Sequence, residues 1–198
     1  SVALDLGANL YYSQGLGGLA VFGALALAEW GGVPGKALLE AVIAGFEVAG
    51  RVALSFPQNW RVEGSRLIGM ASGVGPRWVA LGAAAANAKL RALDVERTAH
   101  AVALAAASIP LRPTQRWTSG TAVPMAKYGL FGGMAASALT NVLLAEHGFT
   151  GDLELLDAPD GFHQGLGQTC TDPGAMTREF GKRWLTSELN ATHPWSEA

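Results

Sequence analysis

The chain has 198 residues and a mass of 20.5 kDa, enough for one sizeable domain and too little for two comfortable ones. Apolar residues make up 49% and charged residues 15%, below the roughly 25% charged share of ordinary domains, which excludes a disordered acidic or basic chain. A formal net charge of −2 gives no footprint for nucleic acid, and a lone cysteine, Cys170, excludes an intrachain disulfide and a cysteine-built metal site.

A mean hydropathy of +0.23 raises the question of a membrane. The longest uncharged stretches, Leu6–Ala28 and Tyr128–Ala145, are diluted with Gly, Ser, Asn, Gln or Thr. A spanning helix needs about 20 mostly apolar residues. No basic segment precedes the first stretch, so a signal peptide is not indicated. Both stretches therefore read as buried helices of a soluble protein, cytoplasmic and in a reducing compartment. The 26 glycines and many alanines suggest helices packed closely enough to need small side chains at their contacts.

In chain order, an apolar helix is expected from about Leu19 to Trp30, stopped by Gly31-Gly32. Pro34 opens a second, in the favoured first-turn position. Its apolar residues Leu38, Leu39, Val42, Ile43, Phe46, Ala49 and Val52 fall at helical spacing. The opposite stripe of Lys36, Glu40, Glu47 and Arg51 reads as a solvated face with i,i+4 charge pairs. This helix must end before Pro57. Residues 57–76 read as a loop, and a third helix runs from Trp78 to Ala92. Asp94 is an N-cap for a fourth, Val95–Ser108, ended by Ile109-Pro110. A long helix follows from Val123 or Met125 to His147, closed by Gly148 in the left-handed conformation. A shorter helical piece covers Met176–Leu189, and the end frays from about residue 190. No strand-like alternation persists and no hairpin dipeptide joins two β-branched runs. The expectation is a single all-α domain spanning residues 1–198.

The four histidines, His100, His147, His163 and His193, show no zinc-ligand spacing, and there is no GxSxG or P-loop. Gly15-Leu-Gly17-Gly18 lacks the strand and full fingerprint of a nucleotide site. His100 and His147 read as structural. Two loops concentrate polar groups among the apolar helices: Asp5 to Gln14, with Asn9, Tyr11 and Tyr12, and Arg112 to Thr121, with Arg116 and Trp117. Such loops line a pocket or are simply wet. Lys127 is the only charge between Arg116 and Glu146. It either snorkels to water or is held in a site as a proton carrier or carboxylate anchor.

The runs Gly23–Glu29 and Leu38–Glu47, then Gly82–Asp94, Thr98–Ala105, Lys127–Gly151 and Asp160-Gly-Phe162, resemble the MmgE/PrpD family in composition and order. That family includes 2-methylcitrate dehydratase, cis-aconitate decarboxylase and iminodisuccinate epimerase. The resemblance implies cofactor-free chemistry on small polycarboxylates, in a cleft between an all-helical domain and a smaller lid, and a homodimer built through the helical domain. The family's leading active-site aspartate falls on Asp5, and the lysine opening its long helix falls on Lys127. The acids that follow the aspartate fall on Gly7 and Ala8, its threonine on Asn9, and histidines near Tyr11, on Gly15 and on Leu130. A histidine-containing segment before the alanine-rich helix falls near Gly73–Gly75. Most of the family's proton carriers are thus replaced, and the chain is expected to lack the lid and the opening helices.

The first expectation is a divergent lyase or isomerase acting on a carboxylate-bearing substrate. Asp5, Lys127 and Tyr11 would be catalytic, with Asn9, Tyr12, Gln14, Arg112, Arg116 and Trp117 binding the substrate and no metal or cofactor. Arg112 or Arg116 would grip a carboxylate through the guanidinium fork. The alternatives are a cyclase that shapes a larger apolar metabolite in a biosynthetic pathway, or a non-catalytic helical subunit paired with a lid-bearing chain. Expected partners are a small molecule and a second copy or a second chain, with neither nucleic acid nor membrane.

Overall fold

The computed structural model describes residues 7–9, 17–56, 60–63, 66–70, 78–109, 126–168, 172–188 and 190–192; for 7–9, 17–19, 60–63, 66–70, 126–130 and 190–192 it describes the backbone alone. Helices carry the fold. They are α1 (Gly17–Gly31), α2 (Gly35–Ser55), α3 (Val79–Leu90), α4 (Val95–Ala107), α5 (Ala126–Glu146) and the single turn α6 (Phe162–Gly165).

Their boundaries follow the local chemistry. Gly32 takes φ of +62° after α1, so that Val33 N–H reaches the Ala28 carbonyl at 2.9 Å. Gly148 does the same after α5 with φ of +88°. Only glycine adopts these angles without strain. Asp94 caps α4, its Oδ1 accepting the Arg97 N–H at 2.8 Å. Pro34 is the residue just ahead of α2 rather than its first residue.

Helix α3 is the hub, packing against α1, α2, α4 and α5, and every residue from Val79 to Ala88 is buried. Its run of alanines supplies strong helix propensity and lets four neighbours crowd one axis. The closest approach is to α2. A Cβ on Gly45 would lie 2.6 Å from the Gly82 carbonyl oxygen, and a Cβ on Gly82 would meet Gly45 O and, at 2.7 Å, Ala49 Cβ. Around this crossing the core closes with Phe46, Val52, Phe56, Trp78, Leu81, Met134, Val142 and Phe162.

Three expectations need correction. Residues 57–76 are not all loop: β2 (Trp60–Glu63) pairs antiparallel with β3 (Arg66–Met70). The sequence between them, Gly64-Ser65, begins with a glycine, itself a hairpin signal. At the chain's ends, β1 (Gly7–Asn9) pairs antiparallel with β4 (Asn190–Thr192), so the fraying expected from residue 190 is not seen there. Finally, the described residues 176–188 form no α-helix. Two 3-10 turns, Pro173–Met176 and Leu185–Glu188, flank a stretch in which Glu179 and Gly181 have φ of +53° and +77°. Two left-handed residues break any helical run.

The stripe on α2 is not wholly solvated. Glu47 and Arg51 are both 6% exposed. Arg51 donates from Nη1 to the Arg178 carbonyl at 2.9 Å and from Nη2 to the Arg183 carbonyl at 2.8 Å. Its guanidinium also lies over the Phe180 ring at 5.1 Å. Glu47 Oε1 accepts from Thr186 N–H at 2.9 Å and from its hydroxyl at 3.2 Å. The pair pins residues 172–188 to α2.

Candidate functional site

The direction of the helices decides where a site can form. At one end of the bundle, Arg91, just after α3, lies with its guanidinium 5.8 Å from the ring centre of Trp30, near the end of α1. The same Arg91 forks onto Glu146, the last residue of α5, with Nε to Oε2 at 3.0 Å. That hydrogen-bonded fork holds the Glu146 carboxyl below its usual range. Further along, Asn87 and Ala135 both lie beside Gly23. Helices α1, α3 and α5 are therefore parallel, and their N-termini share the opposite end. The short α1–α2 and α3–α4 connections turn α2 and α4 back toward that end. The chain segments that lead into α1, α3 and α5 all join the bundle there.

Two of the residues singled out in the sequence lie in described elements near this end. Lys127 lies in the first turn of α5, at this end. Asn9 ends β1, in register with Asn190, and β1 contacts α1. Asp5, Tyr11, Tyr12, Gln14, Arg112, Arg116 and Trp117 lie outside the described residues. Three parallel helix N-termini place the positive ends of three helix dipoles together, a field suited to carboxylates.

At the same end sits a pair that spacing did not reveal. Ser55, the last residue of α2, is fully buried, and its Oγ is 2.8 Å from His163 Nε2. Its hydroxyl donates to the Val52 carbonyl at 2.6 Å. A carbonyl only accepts, so the single hydroxyl proton goes to Val52 and the imidazole donates its Nε2–H to Ser55. His163 is 4% exposed, stacks at 4.5 Å against Phe56, and lies beside Phe162. Burial pushes its pKa below the usual histidine value. A lone histidine between Phe162 and Gln164 has no partner at ligand spacing, so only its place in the fold exposes it.

His100 on α4 contacts the chain just after α5, its Nδ1 lying 3.2 Å from the Gly151 carbonyl oxygen and 3.3 Å from the Gly151 nitrogen. Among the described residues no cluster of His, Cys, Asp or Glu could hold a metal ion, and no helix is long and apolar enough to cross a membrane.

The pH dependence of stability follows from His163. Its folded pKa lies below the unfolded value of about 6.5, so its neutral form stabilises the fold above that pH. That contribution is lost as pH falls below about 6.5 toward the folded pKa. Melting curves across this range are expected to show the loss in the wild type and a shallower slope in His163→Phe.

Taken together, these features define a helical domain whose parallel helices present one end to a set of polar connections. The chain belongs to the MmgE/PrpD family: the model of the MmgE/PrpD N-terminal domain matches residues 15–171. A search of curated proteins finds no match. The matched span runs from the lead-in to α1 to just short of the segment pinned by Glu47 and Arg51.

Proposed function

We propose that the chain works as a cofactor-independent lyase or isomerase of the MmgE/PrpD type, moving a proton at a carbon beside a carboxylate. One observation supports this reading: α1, α3 and α5 bring their N-termini to one end of the bundle, with Lys127 in the first turn of α5. In this reading Arg112 and Arg116 grip the substrate carboxylates and Lys127 or Tyr11 moves the proton, oriented by Asp5. Asn9, Tyr12, Gln14 and Trp117 shape the rest of the pocket.

The working form is a homodimer, or a complex with a second chain, in the cytoplasm. The support is the exposed apolar side chains on α1 and α2. Phe22 and Leu25 are exposed on α1, and Leu39 and Ile43 on α2. Helix α1 is apolar on both its buried and its exposed face, the pattern of a helix covered on all sides.

The test is proton exchange. Protein purified gently from its own source is incubated in D2O with citrate, malate and aspartate, and deuterium at the carbon beside the carboxylate is followed by NMR. Exchange is expected in the wild type, with a loss of at least 100-fold in Lys127→Ala and Asp5→Ala at unchanged melting temperature. Exchange unaffected by either substitution contradicts the reading. Turnover only of larger apolar substrates would favour the cyclase alternative instead.

A further inference from the structure

Helix α4 runs toward the end of the bundle where α5 begins, and its C-cap, Ser108, is tied sideways onto α5. Asn141 donates from Nδ2 to Ser108 Oγ at 2.6 Å, and the Ser137 hydroxyl lies 3.2 Å from the same oxygen. Asn141 is 7% exposed, one of the few buried polar side chains among Ala105, Ala106, Ala138 and Val142. The Ser108 backbone N–H meanwhile reaches the Leu104 carbonyl at 3.1 Å, so main chain and side chain are both held. The end of α4 is closed by that backbone bond alone. What the side-chain tie adds is a fixed point beside α5 from which the chain departs.

The next residues in sequence are Ile109-Pro110-Leu111-Arg112-Pro113. Each proline locks its own φ and steers the residue before it, here Ile109 and Arg112, away from the helical region. Arg112 is therefore a cation on a short, stiff arm, whereas Arg116 follows three residues after the second proline, where the constraint has decayed. The lengths match as well. Ser137 and Lys127 are ten residues apart on α5, about 15 Å of helix. From Ser108 to Arg112 is four residues, which span at most about 14 Å. The guanidinium carried beyond that point comes level with the turn of Lys127.

We infer that Ser108 and Asn141 are positioning residues that set Arg112 at the Lys127 end of α5, making Arg112 rather than Arg116 the principal grip on the substrate carboxylate. The assignment rests on the carboxylate chemistry proposed above and decides between its two arginines. Ser108 and Asn141 touch no substrate; they act only through the arm.

A double-mutant cycle on tricarballylate binding, measured by calorimetry on the full chain, tests this. Arg112→Ala is expected to weaken binding more than Arg116→Ala does. Asn141→Leu and Ser108→Ala are each expected to weaken it on the order of tenfold in the wild-type and Arg116→Ala backgrounds, and to add nothing once Arg112 is alanine. Ser108→Thr, which keeps the hydroxyl, is expected to bind as the wild type does. Ser108 is exposed, so its variants keep the test available should Asn141→Leu fail to fold. A purely structural tie would lower the melting temperature and weaken binding equally in every background. That pattern, a larger loss from Arg116→Ala than from Arg112→Ala, or binding indifferent to both tie variants overturns this assignment alone. A wild type that binds no tricarballylate overturns the proposed function and this assignment with it.

Discussion

Gly82→Ala is expected to destabilise the protein by about 3 kcal/mol, the upper part of the range for overpacking a tight core, lowering the melting temperature by roughly 6–12 °C. Alanine is the better helix former by about 1 kcal/mol, so intrinsic propensity alone predicts the opposite sign. Sterics win because the new methyl would press on the Gly45 backbone carbonyl and lie 2.7 Å from Ala49 Cβ. Neither neighbour is the flexible tip of a long side chain. Helix α3 cannot retreat either, being enclosed by α1, α2, α4 and α5. Gly132 supplies the contrast, since a Cβ there meets nothing within 4 Å. Gly132→Ala is expected to raise stability by up to about 1 kcal/mol. Chemical denaturation of both variants checks the pair, and equal effects would remove the argument for a close α2–α3 crossing.

Arg51→Ala is the second large effect. It leaves Glu47 buried without its cation, with Oε2 losing an ion contact of 3.5 Å, and it removes the guanidinium donors from the carbonyls of Arg178 and Arg183. Breaking a buried pair from one side costs about 3–5 kcal/mol. The loss is directional, because Arg51 and Glu47 both act on residues 172–188. Limited proteolysis is expected to cut within that segment in Arg51→Ala while sparing α1–α5. Arg51→Met combined with Glu47→Leu is expected to recover part of the stability, since a matched apolar pair removes both buried charges. Wild-type resistance to cleavage in Arg51→Ala would mean that the segment is held by its apolar contacts alone.

These cases also show what the sequence made legible. The helix ends were readable because their signals are local: Gly31-Gly32, Asp94 and Gly148 act on the backbone beside them. The reliance on small residues was readable as composition, though not the reciprocal meeting of Gly45 and Gly82, which depends on how two distant helices cross. Glu47 and Arg51 misled because an i,i+4 charge pair has the same spacing whether water or another segment faces it. The 3-10 turns near the C-terminus were hidden because Glu179 takes a left-handed conformation that no glycine advertises. Of the candidate site, the structure adds the position of Lys127 in the first turn of α5 and the backbone pairing of Asn9 with Asn190, while Ser55 and His163 were silent for want of a spacing motif.

In the proposed function, small carboxylates are held at the end of the bundle where α1, α3 and α5 begin. Hydrogen–deuterium exchange of the intact protein with saturating tricarballylate tests this most directly. Protection is expected in peptides covering residues 1–20 and 110–130, with no change around Trp30, Arg91 and Glu146 at the opposite end. Protection confined to that opposite end, or none at saturating ligand, would contradict the claim.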